Sequence, residues 1–155
     1  MRTDAEVKRL LGLGRKPLVV APTGAGKTWM ARMRLREARY PCAVTHTKVL
    51  RDQTAENIPE VDGNVFMLQG LISKGPEAAA RRERFLKSDL IWVDEAHHPV
   101  AEEWGQLIEF IGARPCFGST ATPQRADGRP LAGLWTDLIA SAEYSELITL
   151  GHLCP

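Results

Sequence analysis

Short apolar runs alternate along the chain with longer segments in which apolar residues recur at helical spacing. The runs predict six β-strands, at residues 17–21, 41–45, 65–68, 90–93, 115–118 and 134–140. The segments between and around them predict helices at 3–11, from about 28 to 39, and at 47–57, 76–87, 100–112 and 143–151. The strands at 90–93 and 115–118 are apolar without alternation, which is typical of strands buried on both faces of a parallel sheet. The pattern therefore predicts an α/β fold with a mostly parallel central sheet and helices on both faces.

A glycine-rich segment joins the first predicted strand to the next helix, and it has the composition of a phosphate-binding loop. Its residues are Ala21, Pro22, Thr23, Gly24, Ala25, Gly26, Lys27 and Thr28. Glycines allow the backbone amides to approach a phosphate closely, and the helix N-terminus adds a partial positive charge. Lys27 would reach the β- and γ-phosphates of a nucleotide, and the Thr28 hydroxyl would bind Mg²⁺. Ala21 stands at the position where the usual phosphate-loop pattern has glycine. The alternative to a phosphate-binding loop is an ordinary glycine turn that precedes a lysine.

An acidic pair, Asp94 and Glu95, directly follows the apolar strand at 90–93. Ligands bind at the carboxyl ends of the strands in open parallel sheets, which is the same edge as the glycine-rich loop. Asp94 is therefore predicted to complete a Mg²⁺ site with Thr28, and Glu95 to orient or deprotonate a water molecule. The alternative is a solvated acidic strand end.

Two histidines follow the acidic pair, at positions 97 and 98. They are either exposed imidazoles or ligands of a metal. A zinc site would need two more ligands, and His46 and His152 offer no recognisable spacing for one. A zinc site is accordingly disfavoured.

The composition describes one globular domain of 155 residues with 44% hydrophobic content and a net charge of +1. Because the chain as a whole is nearly neutral, any contact with nucleic acid must come from a local basic patch. The arginines of the second helix, at 32, 34, 36 and 39, are predicted to form a solvated face. A second basic cluster, at residues 81–87, could form the wall of a basic groove, although solvent exposure is the simpler interpretation.

The three cysteines, at positions 42, 116 and 154, are widely separated and show no metal-binding spacing. They indicate neither a disulfide framework nor a zinc site, and they fit a reducing, cytoplasmic setting. The N-terminus lacks the apolar core of a secretion signal, and no run approaches 18 apolar residues. No membrane association is expected.

Three of these segments, in order, resemble motifs I, II and III of superfamily 2 helicases and translocases. They are Ala21–Thr28, the sequence DEAH at 94–97, and the sequence STATP at 119–123. Residues 122–128 are also similar to bacterial and phage DEAD/DEAH-type helicases of the RadD and XPB kind. The resemblance covers residues 17–155 and implies a RecA-like P-loop NTPase domain, with residues 1–16 as a helical lead-in.

The resemblance also implies roles for individual residues. It assigns the nucleotide phosphates to the loop residues Thr23, Gly24, Ala25, Gly26, Lys27 and Thr28, Mg²⁺ to Thr28 and Asp94, and the catalytic base to Glu95. His97, Thr120 and Thr122 would couple the state of the nucleotide to nucleic-acid binding. The contacts to nucleic acid would come from Thr45, Thr47, Lys48 and Gln69.

ATP, Mg²⁺, nucleic acid and a second RecA-like domain are the cofactors and partners that this resemblance implies. DNA is favoured over RNA because of the relatives that the stretch after motif III resembles. The glutamine that reads adenine in many relatives is missing, since no glutamine precedes Gln53. The second domain, with its arginine finger, would lie in a longer protein or in a separate chain. A binding module without efficient ATP turnover stays open as an alternative, and a small-molecule kinase is disfavoured.

Overall fold

A computed structural model describes residues 2–97, 101–122 and 133–140, except for the side chain of residue 101. The predicted helix at 143–151 lies outside these residues, as do His98, His152 and Cys154.

Within the described residues, the centre of the fold is a sheet of six strands, all parallel. The strands are β1 (Pro17–Val20), β2 (Pro41–Thr45), β3 (Val65–Met67), β4 (Leu90–Val93), β5 (Cys116–Thr120) and β6 (Asp137–Ala140). Their order across the sheet is β3-β2-β4-β5-β1-β6. Every pair of neighbouring strands is parallel, for example β1 with β5, where Leu18 lies opposite Gly118. The predicted fold class is confirmed.

Helices cover both faces of the sheet. They are α1 (Arg2–Gly12), α2 (Lys27–Leu35), α3 (Lys48–Asn57), α4 (Leu68–Ile72), α5 (Pro76–Leu86) and α6 (Ala101–Ile111), with one 3-10 turn at Pro59–Val61. One buried cluster joins apolar residues of α1 and α2 to the sheet, among them Val7, Met30 and Leu35. A second cluster joins α4, α5 and α6 to the opposite face through Leu71, Phe85 and Leu107. No helix within the described ranges is long and apolar enough to cross a bilayer.

Two boundaries differ from the prediction in ways that affect the site. Strand β5 extends to Thr120, so Ser119 and Thr120 lie inside a fully buried strand and not in the loop after it. Helix α4 begins at Leu68, directly after β3, in a segment predicted as the end of a strand and a loop. Its five residues are too few to show a helical period.

The buried Arg34 corrects the predicted solvated face of α2. Its side chain is only 7% exposed, and it forms ion pairs with Asp4 of α1 and with Glu37. The Arg34 Nη2 atom donates a hydrogen bond of 3.0 Å to Asp4 Oδ2. A buried guanidinium is tolerated only when its charge is paired, and here the pairing fastens α1 onto α2. The predicted division of the chain into a lead-in at residues 1–16 and a domain at 17–155 stays a prediction.

Candidate nucleotide site

The glycine-rich loop leaves β1 at the edge of the sheet and ends at the first residue of α2. The Ala21 amide donates a hydrogen bond of 2.9 Å to the Thr120 carbonyl, which extends the pairing of β1 with β5 by one residue. Gly24 and Gly26 have φ angles of 84° and 78°, a left-handed conformation that side chains disfavour. Gly26 is also the N-cap of α2. The two glycines therefore turn the chain so that the helix begins at Lys27.

Lys27 points across the loop toward the acidic pair. Its Nζ atom donates a hydrogen bond of 3.1 Å to the Ala21 carbonyl and lies 3.8 Å from Oε1 of Glu95. Its side chain is 11% exposed, and that of Glu95 is 23% exposed. Lys27 and Glu95, which are distant in the sequence, thus share one partly enclosed space at the edge of the sheet.

The loop amides are not all directed outward. The Ala25 amide donates a hydrogen bond of 3.2 Å to the Pro22 carbonyl within the loop. The resemblance assigns this loop, Ala25 included, to the phosphates of a nucleotide. In this conformation the Ala25 amide is already satisfied, because it closes the turn that the two glycines make possible.

Asp94 follows β4 and is held by two hydrogen bonds. Its Oδ1 atom accepts one of 3.1 Å from the Ser119 hydroxyl and one of 2.9 Å from the Glu95 amide. Ser119 in turn accepts a hydrogen bond of 3.1 Å from Nε1 of the buried Trp92. Burial raises the pKa of Asp94 above its ordinary value, and the neighbouring Glu95 charge raises it further. The hydrogen bonds from Ser119 and the Glu95 amide lower this pKa, as does the Lys27 charge, but they do not cancel the effect of burial.

Ser119 is a site residue whose role the sequence reasoning missed. It was noted only as part of a motif, and its strand was expected to end before it. The signal that could have found it is that successive side chains of a strand point to opposite faces, so that residues two apart share a face. Ser119 points to the same face as Phe117, next to Trp92 on the neighbouring strand.

Glu95 has a φ angle of 47°, the only non-glycine residue in the described ranges with a positive φ. The left-handed conformation costs a residue with a side chain about 1–2 kcal/mol. It turns the chain sharply after Asp94, and the Glu95 carboxylate comes to lie between Lys27 and His97, 3.4 Å from His97 Nδ1. Strain of this kind is characteristic of functional sites.

His97, Thr120 and Thr122 form a connected chain beside the acidic pair. His97 Nδ1 lies 2.7 Å from the Thr120 hydroxyl oxygen. The Thr120 hydroxyl donates to the Thr122 carbonyl at 2.8 Å and accepts from the Thr122 amide at 3.1 Å. His97 and Thr120 therefore share one hydrogen bond, whose direction depends on the tautomer of the histidine ring. The three residues predicted to act in coupling are therefore in direct contact.

Other residues of the loop lie at the surface. Thr23, Gly24 and Thr28 are exposed, and Thr28 occupies the first turn of α2. The Thr28 hydroxyl and the Asp94 carboxylate offer the hard oxygen atoms that Mg²⁺ prefers, and Mg²⁺ is commonly bound by few protein ligands together with substrate phosphates. The residues present therefore fit both a phosphate chain and magnesium.

The predicted nucleic-acid residues are divided between surface and core. Lys48 and Gln69 are exposed. Thr47 is the N-cap of α3, and its hydroxyl accepts a hydrogen bond of 3.2 Å from the Leu50 amide. Thr45 ends β2 and is fully buried, and its hydroxyl has no hydrogen-bond partner among the residues that the structure describes. A contact at Thr45 would therefore have to use its backbone.

A groove of about 330 Å³ lies at the β3 edge of the sheet. It is lined by Arg51, Arg81 and Arg84 together with Gly70 and the residues of β3. Arg84 lies over the ring of Phe66, and Arg81 is paired with the exposed Glu77 at 3.2 Å. Part of the basic cluster predicted at 81–87 thus forms one wall of a groove.

Comparisons with known proteins identify the fold. No family model matches the chain. It is 27% identical over 142 residues to a 51.5 kDa protein of Lactococcus phage (isolate 7-9), a match that covers 89% of this chain and 31% of the phage protein. The UvsW helicase from bacteriophage T4 matches with a TM-score of 0.62 at 16% identity, over 86% of this chain and 58% of UvsW.

The Pif1 helicase from Bacteroides, solved in complex with ADP-AlF3 and single-stranded DNA, matches with a TM-score of 0.54 at 14% identity. That match covers 94% of this chain and 35% of Pif1. The chain therefore spans less than two thirds of the length of each of these proteins. The likenesses show that it has the RecA-like fold of helicase domains.

Proposed function

We propose that this chain is the ATP-binding motor domain of a superfamily 2 nucleic-acid helicase or translocase, which hydrolyses ATP with Mg²⁺. The observation that supports this most directly is the approach of Lys27 Nζ to within 3.8 Å of Glu95 Oε1 beside the glycine-rich loop. Phosphoryl transfer to water needs a lysine that binds the phosphates and, at the same place, a carboxylate that orients the attacking water. A closer relation to the RadD- or XPB-like group stays a prediction.

In this proposal the loop residues bind and orient the triphosphate. Lys27 would exchange its hydrogen bond to the Ala21 carbonyl for the β- and γ-phosphate oxygens, while Gly24 and Gly26 permit their close approach. Thr28 and Asp94 would hold magnesium, which supplies charge neutralisation at the phosphates when it is bound. Ser119 keeps the Asp94 carboxylate in one orientation.

Glu95 is the proposed catalytic base. Its carboxylate would accept a hydrogen bond from the attacking water and orient that water toward the γ-phosphorus. In this mechanism the protein accelerates the reaction by positioning the reactants and stabilising charge, with little covalent chemistry of its own.

His97, Thr120 and Thr122 are the proposed coupling residues. They form one hydrogen-bonded chain that begins beside Glu95 and leads away from it toward residue 122. A change in the charge next to Glu95 would alter the hydrogen bond between His97 and Thr120, and the Thr120 hydroxyl would transmit the change to the backbone of Thr122.

The proposed partners are nucleic acid, with DNA favoured over RNA, and a second RecA-like domain in a longer protein or a separate chain. Thr47, Lys48 and Gln69 would contact the strand, and the groove with Arg51, Arg81 and Arg84 supplies the local basic patch that a nearly neutral chain needs. The second domain would supply an arginine finger, worth about 10³–10⁵ in rate, so the chain alone should turn over slowly. A cytoplasmic location is proposed with this function.

The second candidate is a binding module that holds nucleotide or nucleic acid without efficient hydrolysis. The Ala25 amide favours it, since its hydrogen bond to the Pro22 carbonyl leaves it unavailable to stabilise the phosphate charge that develops during hydrolysis.

An ATPase assay with and without nucleic acid tests the motor proposal. We expect slow Mg²⁺-dependent hydrolysis that single-stranded DNA, duplex DNA or RNA stimulates, and that Glu95→Gln abolishes while Glu83→Gln, on the exposed face of α5, leaves it unchanged. Nucleotide binding without any hydrolysis, with every nucleic acid and with added second-domain protein, would favour the binding module.

A further inference from the structure

The basic groove follows the outer edge of strand β3. Within the described sheet, β3 is the last strand on its side and pairs with β2 alone. All three residues of β3 line the groove, together with Arg51 of α3 and with Arg81 and Arg84 of α5. The groove therefore combines a strand edge with basic side chains from the helices beside it.

The backbone of Val65, the first residue of β3, faces away from the rest of the sheet. Val65 lies opposite Ala43 of β2, and the Ala43 amide donates a hydrogen bond of 3.1 Å to the Asn64 carbonyl. Backbone groups of successive residues in a strand point to alternate edges, so Asn64 and Phe66 are directed toward β2. The amide and carbonyl of Val65 are then directed outward, on the side of the groove. A strand edge of this kind can pair with one more strand.

Two of the arginines have partners that a ligand can replace. Arg51 pairs at 2.8 Å with its sequence neighbour Asp52, whose side chain is 57% exposed. Arg81 pairs at 3.2 Å with Glu77 of the same helix, whose side chain is 85% exposed. Ion pairs in contact with water contribute little, because solvent screens them and two long side chains must be held in place. Both guanidinium groups can therefore exchange these carboxylates for those of a ligand.

The charge of the groove is positive, since three of the residues that line it are arginines and none is acidic. The Arg84 guanidinium lies over the Phe66 ring, 5.5 Å from its centroid, and donates a hydrogen bond of 3.3 Å to Oδ1 of Asn64. Neither contact neutralises its charge. Guanidinium groups bind carboxylates through charge-assisted hydrogen bonds. The groove therefore favours an acidic ligand over a second copy of this chain, whose β3 would bring three more arginines.

We propose that the groove binds an extended acidic peptide segment of a partner protein, which adds a strand to the sheet at β3. The peptide exchanges backbone hydrogen bonds with Val65, and its carboxylates pair with Arg51, Arg81 and Arg84. Nucleic acid would match the charge of the groove but would leave the strand edge unpaired. Since the proposed function gives the same arginines to nucleic acid, the bound peptide excludes the nucleic-acid strand, and this consequence alone rests on that proposed function.

Fluorescence anisotropy with the whole chain and labelled peptides tests the docking site. The probe is a short peptide with glutamates at its centre and with valine and threonine at its ends. A second peptide has glutamine in place of each glutamate, and a third carries methyl groups on alternate backbone amides, which removes donors that pair with a strand edge. The variants are the double substitution Arg51→Ala with Arg81→Ala and the control Arg36→Ala, at an exposed arginine that does not line the groove.

We expect the glutamate peptide to bind, and the glutamine and methylated peptides to bind at least about tenfold more weakly. The double substitution should weaken binding of the glutamate peptide at least about tenfold, because charged hydrogen bonds are lost, and Arg36→Ala should leave it unchanged. The bound peptide should slow hydrogen exchange of the Val65 amide, measured by NMR spectroscopy. It should also release labelled oligothymidine from the chain.

Two results would overturn the docking site. In one, the glutamate peptide does not bind, or it binds the double variant as tightly as the unmodified chain; oligothymidine binding that still depends on these arginines would then assign the groove to nucleic acid alone. In the other, the methylated peptide binds equally well and the Val65 amide exchanges as fast as before, so that charge holds the peptide and no strand is added. Failure of the proposed function would appear separately, as a chain that binds the peptide but not Mg²⁺-ATP.

Discussion

The Ser119 hydroxyl donates a hydrogen bond of 3.1 Å to Oδ1 of Asp94, and it does so while accepting one from the indole of Trp92. A carboxylate at the rim of the sheet is thereby tied to a side chain in the core. The order β4-β5-β1 makes this possible, because β5 carries Ser119 between the acidic pair and the phosphate loop.

Replacing Ser119 with alanine should affect both stability and magnesium binding. The Trp92 indole would lose its acceptor while buried, which costs about 1–3 kcal/mol in the free energy of unfolding measured with urea. Asp94 would lose the bond that orients it, so the Mg²⁺ concentration needed for half-maximal nucleotide binding should rise several-fold. Ser73→Ala, which removes an exposed hydroxyl, should change neither quantity. An unchanged Mg²⁺ requirement in Ser119→Ala would mean that the hydrogen bond does not position Asp94.

Gly118 should not tolerate a side chain. A Cβ atom there would lie 2.6 Å from the Trp135 ring and 2.9 Å from Leu18 Cδ1. Gly118→Ala should therefore reduce the free energy of unfolding by about 1–3 kcal/mol through overpacking. The matched variant Gly105→Ala, in α6 with nothing within 4 Å, should instead add about 0.5–1 kcal/mol. Equal effects of the two substitutions in a urea titration would contradict the packing of Trp135 on β5.

Cys42 should resist alkylation in the folded protein. Burial raises the pKa of its thiol to about 12, so the thiol stays protonated at pH 8 and does not form the reactive thiolate. Burial also raises the pKa of Cys116. Peptide-resolved mass spectrometry after iodoacetamide treatment should show both thiols unmodified in the folded chain and modified in urea. Rapid labelling of Cys42 without denaturant would contradict its burial in β2.

Much of the fold followed from local sequence, and the exceptions have tertiary causes. The glycine-rich loop and the strand before Asp94 were predictable because each depends on residues next to one another. The burial of Arg34 was not, since it depends on Asp4 of another helix. The bond between Ser119 and Asp94 was not, since it requires the strand order across the sheet. The interior position of Thr120 was missed because a buried strand can end in polar residues when neighbouring residues form hydrogen bonds with their side chains.

Equilibrium binding of Mg²⁺-ATP to Lys27→Ala and Glu95→Gln tests most directly the claim that these two residues share one nucleotide site. Lys27→Ala should weaken binding at least about tenfold, because a charged hydrogen bond to the phosphates is lost. Glu95→Gln should bind as tightly as the unmodified chain or more tightly, because a negative charge 3.8 Å from Lys27 is removed. Lys87→Ala, a change at an exposed lysine of an ion pair outside the site, should have no effect. If Lys27→Ala bound Mg²⁺-ATP as well as the unmodified chain, the nucleotide site would not be where we propose it.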